Sequence, residues 1–498
     1  MSEVQPFLHS PELRSASPTR TPRRHLGLLS ATFLIVNRMV GTAIFSVPSS
    51  IAQSAGSAGA ALILWLVGFI LSFCGFCIWL ELGSVLPRSG GEKVYLEAAH
   101  PRPPLLATTI FAVHVVVLGF TGIGSIVAAE NILLAVHGTA NDWIKRGIAV
   151  ALVVGVASLH IFGKNLSIRI MNILASLKIL ILALIVIAGL RAARGDLPDV
   201  PHPGASFAHP FAGSSTNVFD YEVALFKVLA TYQGWSNAAY VMDEIKDPKT
   251  TLKWAGILGV GSVGLLYLLV NVAYFTVATP QELSETGVTV VALLVGRVFG
   301  PRMQWLAAVL AALSSLGNLM TASFSMSRVI QGLTTEGVVP FPSFFASRTS
   351  SGRPAASTFL LVFLPSVLMV TLIPFGDAYN FLLDVGQYTR AIILFFVVAG
   401  LFIIRKRVAY PPRTFKVWTS VAYIYLAVQS FLVILPLAGS GKSDTHLPSW
   451  LTPVAGLLTL GFSCVYWSYL WYILPKIGNF IWQKRISTCP EGAAVVVW

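Results

Sequence analysis

The sequence predicts an all-α polytopic membrane protein with twelve transmembrane helices, and three observations predict it. Apolar residues make up 55% of the 498 residues and charged residues only 11%, far below the roughly 25% charge of a soluble domain. The mean hydropathy is +0.74. The apolar residues lie in long runs bounded by Gly, Pro and charge, and a bilayer core takes about 20 such residues per helix. Twelve spans would use about 240 residues, close to half of this chain. Disorder is excluded as well, because it needs low hydrophobicity and high charge.

The runs place the spans at 27–54, 58–84, 105–136, 143–163, 168–192, 219–244, 251–278, 303–333, 355–374, 378–404, 417–439 and 450–474. Backbone groups in lipid must bond within their own segment, so each is expected to be helical. Residues 1–25 form a polar tail rich in Ser, Pro and Arg without the apolar core of a cleavable signal, and residues 475–498 form a second tail. The first span is therefore expected to act as its own insertion signal.

Orientation follows from the connectors. With the N-terminus inside, 22 Lys and Arg near span ends face the cytoplasm and 7 face outward. Positive charge gathers on the cytoplasmic side, so both termini are expected there. The net charge of +13 is thus spread over short connectors, not gathered on the water-facing patch that a nucleic-acid binder needs. Cys74, Cys77, Cys464 and Cys489 are too few and too uneven for a disulfide framework. The sequon Asn165-Leu166-Ser167 falls in a cytoplasmic loop and should stay unmodified.

Arg38, Lys178, Lys227, Arg328 and Arg390 lie inside spans. Each costs about 2.5–3.5 kcal/mol at mid-helix on insertion scales, so each needs a partner or water. Lys178 lies ten residues from one end of its helix and fourteen from the other, and is the leading functional candidate. Lys227 and Arg328 lie near enough to an end to snorkel. Glu81, Glu130, His114 and His160 are further polar groups in or near spans, and a lone His there is more often hydrogen-bonded structure than a site.

Two spans are poor in helix formers. In the first, Asn37-Arg38-Met39-Val40-Gly41-Thr42-Ala43-Ile44-Phe45 precedes Pro48, which removes a backbone donor and crowds the Ile44 carbonyl. In the sixth, Thr231-Tyr232-Gln233-Gly234-Trp235-Ser236-Asn237 puts polar groups and a Gly mid-span. A broken helix exposes main-chain groups that are tolerated only beside a cavity. Half-helix N-termini then offer donors to an anion and half-helix C-termini offer carbonyls to a cation, which suits a zwitterionic amino acid. The two breaks are five helices apart, the spacing of two inverted five-helix repeats. Ordinary Gly-containing packing helices are the structural alternative.

With these residues in view, the chain resembles the amino acid–polyamine–organocation superfamily, in its L-type amino acid transporter branch and nearest the fungal methionine permeases. The resemblance covers nearly all of 27–440. It rests on Asn37 to Phe45, Glu81-Leu82-Gly83, Pro87-Arg88-Ser89-Gly90-Gly91 and Tyr232-Gln233-Gly234-Trp235, then on Glu244-Ile245-Lys246-Asp247-Pro248, Ser327-Arg328 and Glu336-Gly337-Val338-Val339-Pro340. It implies a LeuT-like five-plus-five inverted-repeat core plus two further helices, with 26–474 as the transporter domain. It also implies that the substrate carboxylate meets the amides of Thr42, Ala43 and Ile44 next to Gly41, and that the α-ammonium meets carbonyls near Met39, Ala230 and Gln233. Lys178 aligns with a fifth-helix lysine standing where sodium sits in sodium-coupled relatives. It would tie span five to span one and span eight, or load and release a proton.

The chain departs from the family at several of these positions. The usual Gly-Ser-Gly is Gly41-Thr42-Ala43, the gating aromatic of animal relatives aligns with Ala230, and Gln233 replaces the first Gly of Gly-Gly-Trp. Tyr232, Gln233 and Trp235, with Gly234, are therefore the residues expected to shape or gate the pocket. Arg38 and Glu81 are read as gate or structural polar groups. Residues 137–142 contain no Cys, so no disulfide-linked heavy chain is expected.

Other patterns fail on context. Gly259-Val260-Gly261-Ser262-Val263-Gly264 fits a dinucleotide fingerprint but lies inside span seven, not between strand and helix. Cys74-x-x-Cys77 sits mid-span without a second pair. His137 and Asp142 lack the rest of an acyltransferase motif. The expected function is import of neutral amino acids, methionine foremost, across the plasma membrane by proton symport, with no cofactor, metal or catalytic residue. Obligate exchange and a non-transporting amino-acid receptor are the alternatives. The partners are an amino acid, a proton and the lipid bilayer.

Overall fold

Helical geometry begins after Gly27 and fails first at Val40, inside the first apolar run. The computed structural model describes residues 24–119, 123–136, 141–195, 200, 203–286, 290–341, 345, 356–372, 377–407, 415–438, 448, 450–478, 481–482, 485–488 and 494–497. Helix α1 (Leu28–Met39) and α2 (Ala43–Ala55) are turned by 42° at their break. Then come α3 (Ala58–Val85), capped by the Ser57 hydroxyl, and the short α4 (Glu92–Ala99). α5 (Leu106–Val113) widens into a π turn, His114–Leu118, before α6 (Ile123–Ala135). α7 (Asp142–Phe162), capped by Asn141, leads to α8 (Lys164–Ala193).

The second half opens with α9 (Val218–Thr231), which gives way after Gly234 to a 3-10 segment, Trp235–Glu244. α10 (Pro248–Val277), α11 (Pro280–Glu285), α12 (Val290–Phe299) and α13 (Gln304–Thr335) follow. The remaining helices are α14 (Ala356–Leu372), α15 (Asp377–Lys406), α16 (Thr419–Ala438) and α17 (Leu451–Ser468). One feature lies outside the all-α expectation: β1 (Arg485–Thr488) and β2 (Ala494–Val497) pair antiparallel in the C-terminal tail, Arg485 opposite Val497.

Among the described residues, eight helices are long and apolar enough to cross a bilayer, or nine when α1 and α2 count as one bent span. The chain is a multi-pass membrane protein. Its helices are apolar on both faces, as α8 shows. Ile173, Leu180, Leu184 and Ile187 are exposed at helical spacing, while Leu174, Ile181, Leu182 and Ile185 are buried. A helix that is hydrophobic all round belongs in lipid or in a core.

α10 packs against α1, α3 and α8, and its glycines set how closely. A Cβ on Gly256 would lie 1.8 Å from the Phe76 ring, and one on Gly264 would lie 2.0 Å from Phe69. On Gly259 it would lie 2.9 Å from Ile35. The glycine-rich run of span seven therefore serves helix packing.

All five basic residues inside spans meet polar partners. Arg38 donates to the Asn318 side chain at 2.9 Å, Lys227 to the Ser50 hydroxyl, and Arg328 to Glu244. Arg390 pairs with Glu92 at 3.5 Å, and Lys178 donates to main-chain carbonyls. Of the tail 1–25 only Arg24 and His25 lie within the described residues, and His137 and Cys489 lie outside them.

Candidate functional site

The first break is a short non-helical link. Val40 ends α1 with ψ near 84°, the Gly41 amide turns back to the Met39 carbonyl at 2.9 Å, and Thr42 opens α2. The Phe45 amide donates to the Thr42 carbonyl at 2.9 Å. The amides of Ala43 and Ile44 stand in the first turn of α2, where no intrahelical acceptor exists. Thr42 and Ala43 are half-buried while Gly41, Ile44 and Phe45 are buried. The α2 N-terminus thus presents unspent donors and positive partial charge at the half-buried residues Thr42 and Ala43.

The carbonyl side of the same break is held by the protein itself. Tyr267 donates from its hydroxyl to the Met39 carbonyl at 2.8 Å. Ser314 donates to the Gly41 carbonyl at 2.9 Å. The Lys178 ammonium reaches the carbonyls of Asn37 at 2.9 Å and Val40 at 2.6 Å. Pro48 remains inside α2, and the Ile44 carbonyl it leaves without a helical donor receives the Tyr274 hydroxyl at 3.4 Å. Donors from α8, α10 and α13 therefore hold the carbonyl side of the link.

Gly234 brings the second break onto the first. Its φ is +128°, and a Cβ there would stand 2.7 Å from the Met39 nitrogen and 2.8 Å from the Arg38 carbonyl carbon. Only a residue without a side chain allows that main-chain approach. Ahead of it the amides of Tyr232 and Gln233 fold back to Val228 at 3.0 Å and to Ala230 at 3.2 Å. The Met39 carbonyl already accepts from the Gly41 amide and the Tyr267 hydroxyl, and the Ala230 carbonyl accepts from the Gln233 amide.

Lys178 is 1% exposed and, among the described residues, makes no ion pair. Its room comes from Gly317 on α13, where a Cβ would stand 2.9 Å from Lys178 Cε and from Asn37 Oδ1. The side chain of Asn37 in turn donates to the Met171 carbonyl at 2.5 Å. One ammonium thus joins α8 to the broken span with α13 beside it.

The other candidates are distributed around this junction. Gln233 and Ala230 are half-buried at it, and Gln233 Nε2 donates to Gln387 Oε1 of α15 at 2.6 Å. Tyr232 is fully buried against α3 and α10, its ring near Trp65, Phe69 and Tyr267 and its hydroxyl on the Trp65 carbonyl at 3.4 Å. Trp235 lies edge-on to Trp79, 5.0 Å between centroids. Arg38 points along α13 to Asn318. Glu81 is remote from the junction: its carboxylate takes Arg405 at 2.9 and 2.6 Å and the Val417 amide at 2.9 Å, tying α3 to α15 and the start of α16. His160 bridges Ser167 at 2.7 Å and the Met320 carbonyl at 3.0 Å, a structural placement.

One end of the bundle is closed by a second set of contacts. Leu26 pairs with Ile245 as a single parallel bridge, and Lys246 donates to the Leu26 carbonyl at 2.9 Å. Glu244 holds Arg328, with His25 at 3.3 Å, while Glu336 holds Lys93 and, at 3.1 Å, Arg88. Ser89 and Asp243 exchange hydrogen bonds of 3.4 and 2.9 Å.

The sequence is similar to known proteins along most of its length. The amino acid permease family model matches residues 26–462. The chain belongs to the amino acid permease family. Among its relatives, the permease is 33% identical to the high-affinity methionine permease of Saccharomyces cerevisiae over 466 residues, covering 92% of this chain and 81% of that one. It is 28% identical to the low-affinity methionine permease of the same yeast, covering 95% and 87%. It is 27% identical to the b(0,+)-type amino acid transporter 1 of Mus musculus, covering 97% and 94%. These relatives are permeases and transporters, not enzymes. The match spans both breaks, Lys178 and the closing contacts, so a membrane permease for amino acids is the frame in which the junction is read.

Proposed function

We propose that the permease imports neutral amino acids, L-methionine foremost, across the plasma membrane by alternating access coupled to proton entry. In this reading twelve spans form two inverted five-helix repeats plus two helices, residues 26–474 are the transporter domain, and both tails are cytoplasmic. The observation that carries the reading is the contact of Gly234 with Met39, which sets two interrupted spans against each other. A substrate carboxylate at Thr42, Ala43 and Ile44 would meet donors and positive helix dipole, and an α-ammonium would meet carbonyls near Met39, Ala230 and Gln233. The names of the two yeast relatives favour methionine.

Proton coupling is assigned to Lys178. A buried ammonium held by two carbonyls of the broken span can keep that link in one arrangement and release it on deprotonation. Residues 137–142 contain no Cys, and the permease is proposed to work without a disulfide-linked heavy chain. The test is uptake of radiolabelled methionine into proteoliposomes with and without an imposed inward proton gradient. Accumulation that follows the gradient supports symport. Uptake that ignores the gradient and needs internal amino acid means exchange, and binding without flux means a receptor.

A further inference from the structure

We propose that Gln387 is a specificity-determining residue, which with Gln233 forms an amide bridge along the amino-acid site and restricts it to uncharged side chains. This rests on the reading of the junction as the substrate site. Gln387 lies in α15, more than 150 residues from either break, in a stretch that the motifs of the chain do not touch.

The bridge is built, not incidental. Its near end is Gln233, whose amide is folded back to Ala230 and whose next residue, Gly234, abuts Met39. Its far end is held from both sides. A Cβ on Gly386 would meet the Leu118 carbonyl of the π turn at 3.5 Å, so that turn lies against α15 at this level. Tyr388 is buried and donates from its hydroxyl to the Val433 carbonyl of α16 at 3.0 Å. With its neighbours fixed, Gln387 projects to Gln233 and the two amides meet at 2.6 Å. Tyr232, Gly234, Tyr388 and Thr389 are buried, but Gln233 and Gln387 are both half-buried, so the bridge has an open side.

Each amide carries two N–H donors and a carbonyl with two lone pairs. The bridge uses one donor of Gln233 and one lone pair of Gln387, and the rest can serve a ligand on the open side. That inventory is neutral. Arg390, three residues further along α15, is paired with Glu92, and Arg38 and Lys178 are spent on Asn318 and on carbonyls. A cationic side chain entering here would meet amides and nearby positive charge without a dedicated carboxylate. An uncharged chain needs neither, and a polar neutral one gains hydrogen bonds. A site built to hydrogen-bond a group discriminates far more strongly than one that only fills space.

The experiment is competition for radiolabelled uptake in proteoliposomes by methionine, leucine, glutamine and lysine, with wild type, Gln387→Glu and Gln387→Leu. Gln387→Glu keeps an acceptor for Gln233 and adds one negative charge, so lysine should gain on methionine by about tenfold or more. Gln387→Leu removes the bridge, so glutamine should lose to leucine by about tenfold. Unchanged competitor ratios in both variants overturn the proposal, and so does an equal loss for every competitor, which marks a structural role. If Gln387→Leu does not fold, Gln387→Glu decides, because it keeps shape and acceptor. A wild type that transports methionine while the ratios stay fixed removes this inference alone. A wild type that transports none of the four removes the transport reading and this inference with it.

Discussion

The ammonium of Lys178 donates to the main-chain carbonyl of Val40 at 2.6 Å. Val40 is where α1 stops, so a charge from α8 sits on the carbonyl that the helix end has released. The same ammonium takes the Asn37 carbonyl at 2.9 Å. A cation at a helix C-terminus is favourable on dipole grounds alone, and here it also satisfies two buried acceptors. The break is therefore stabilised from outside its own span.

Replacing Lys178 with Met leaves the Asn37 carbonyl without that donor, while the Val40 carbonyl keeps the Ser314 hydroxyl at 3.3 Å. Each unsatisfied buried group costs about 1–3 kcal/mol. Thermal unfolding of the purified variant should shift down accordingly, and pH-driven methionine accumulation should disappear. Full coupling in Lys178→Met would remove this residue from the mechanism.

The two break glycines should respond differently to a methyl group. At Gly41 a Cβ meets only the end of the Asn318 side chain, at 2.9 Å, whereas at Gly234 it meets backbone at 2.7 Å with φ at +128°. Gly41→Ala should keep a measurable part of the uptake, while Gly41→Val should abolish it with membrane insertion intact. Gly234→Ala should lose uptake and at least about 2 kcal/mol of stability. Uptake rates and melting temperatures of the three variants check this ordering.

Glu81 is expected to act as a clamp. It is fully buried and Arg405 is 10% exposed in its side chain. Removing one partner of such a pair costs about 3–5 kcal/mol because the other charge is left unpaired. Glu81→Gln should therefore lower stability by about 3 kcal/mol, with the ranking of competing amino acids unchanged. A changed ranking would instead place Glu81 in substrate selection.

Glu282, in α11 between span seven and span eight, gives a pH signature. The Arg297 guanidinium, donating at 2.5 and 3.3 Å, holds its carboxyl down at about 2, with Thr279 donors helping and burial opposing. A lowered folded-state value means stabilisation that is complete above the ordinary carboxylate range and is lost as pH falls toward about 2. The side chain is 42% exposed, so screening limits the effect to about 1 kcal/mol or less. The melting difference between wild type and Glu282→Gln should be present at pH 7 and shrink by pH 3. A difference that grows on acidification would contradict the pairing.

Much of this was legible in the sequence because lipid leaves few options. Apolar runs between charged connectors became helices, and the polar stretches at Asn37–Phe45 and Thr231–Asn237 contain the non-helical links, Val40–Thr42 and Tyr232–Gly234. Pro48 illustrates the limit. The chain breaks at Val40 to Thr42 and α2 runs through the proline, because Tyr274 donates to the Ile44 carbonyl. The π turn at His114–Leu118 was not legible, since its residues continue an apolar run without Gly or Pro. Nor were Tyr267, Ser314, Asn318 and Gln387. They reach the breaks across separations of 154 to 280 residues, and their only sequence signal was a polar group inside an apolar run.

The central claim is that the unspent amides at the start of α2 hold the carboxylate of an amino acid. A density map of the permease with methionine bound tests it most directly. The account places the carboxylate oxygens within hydrogen-bonding distance, about 2.7–3.2 Å, of the Thr42, Ala43 and Ile44 nitrogens. A methionine bound elsewhere, with those amides facing water or another part of the protein, would contradict it.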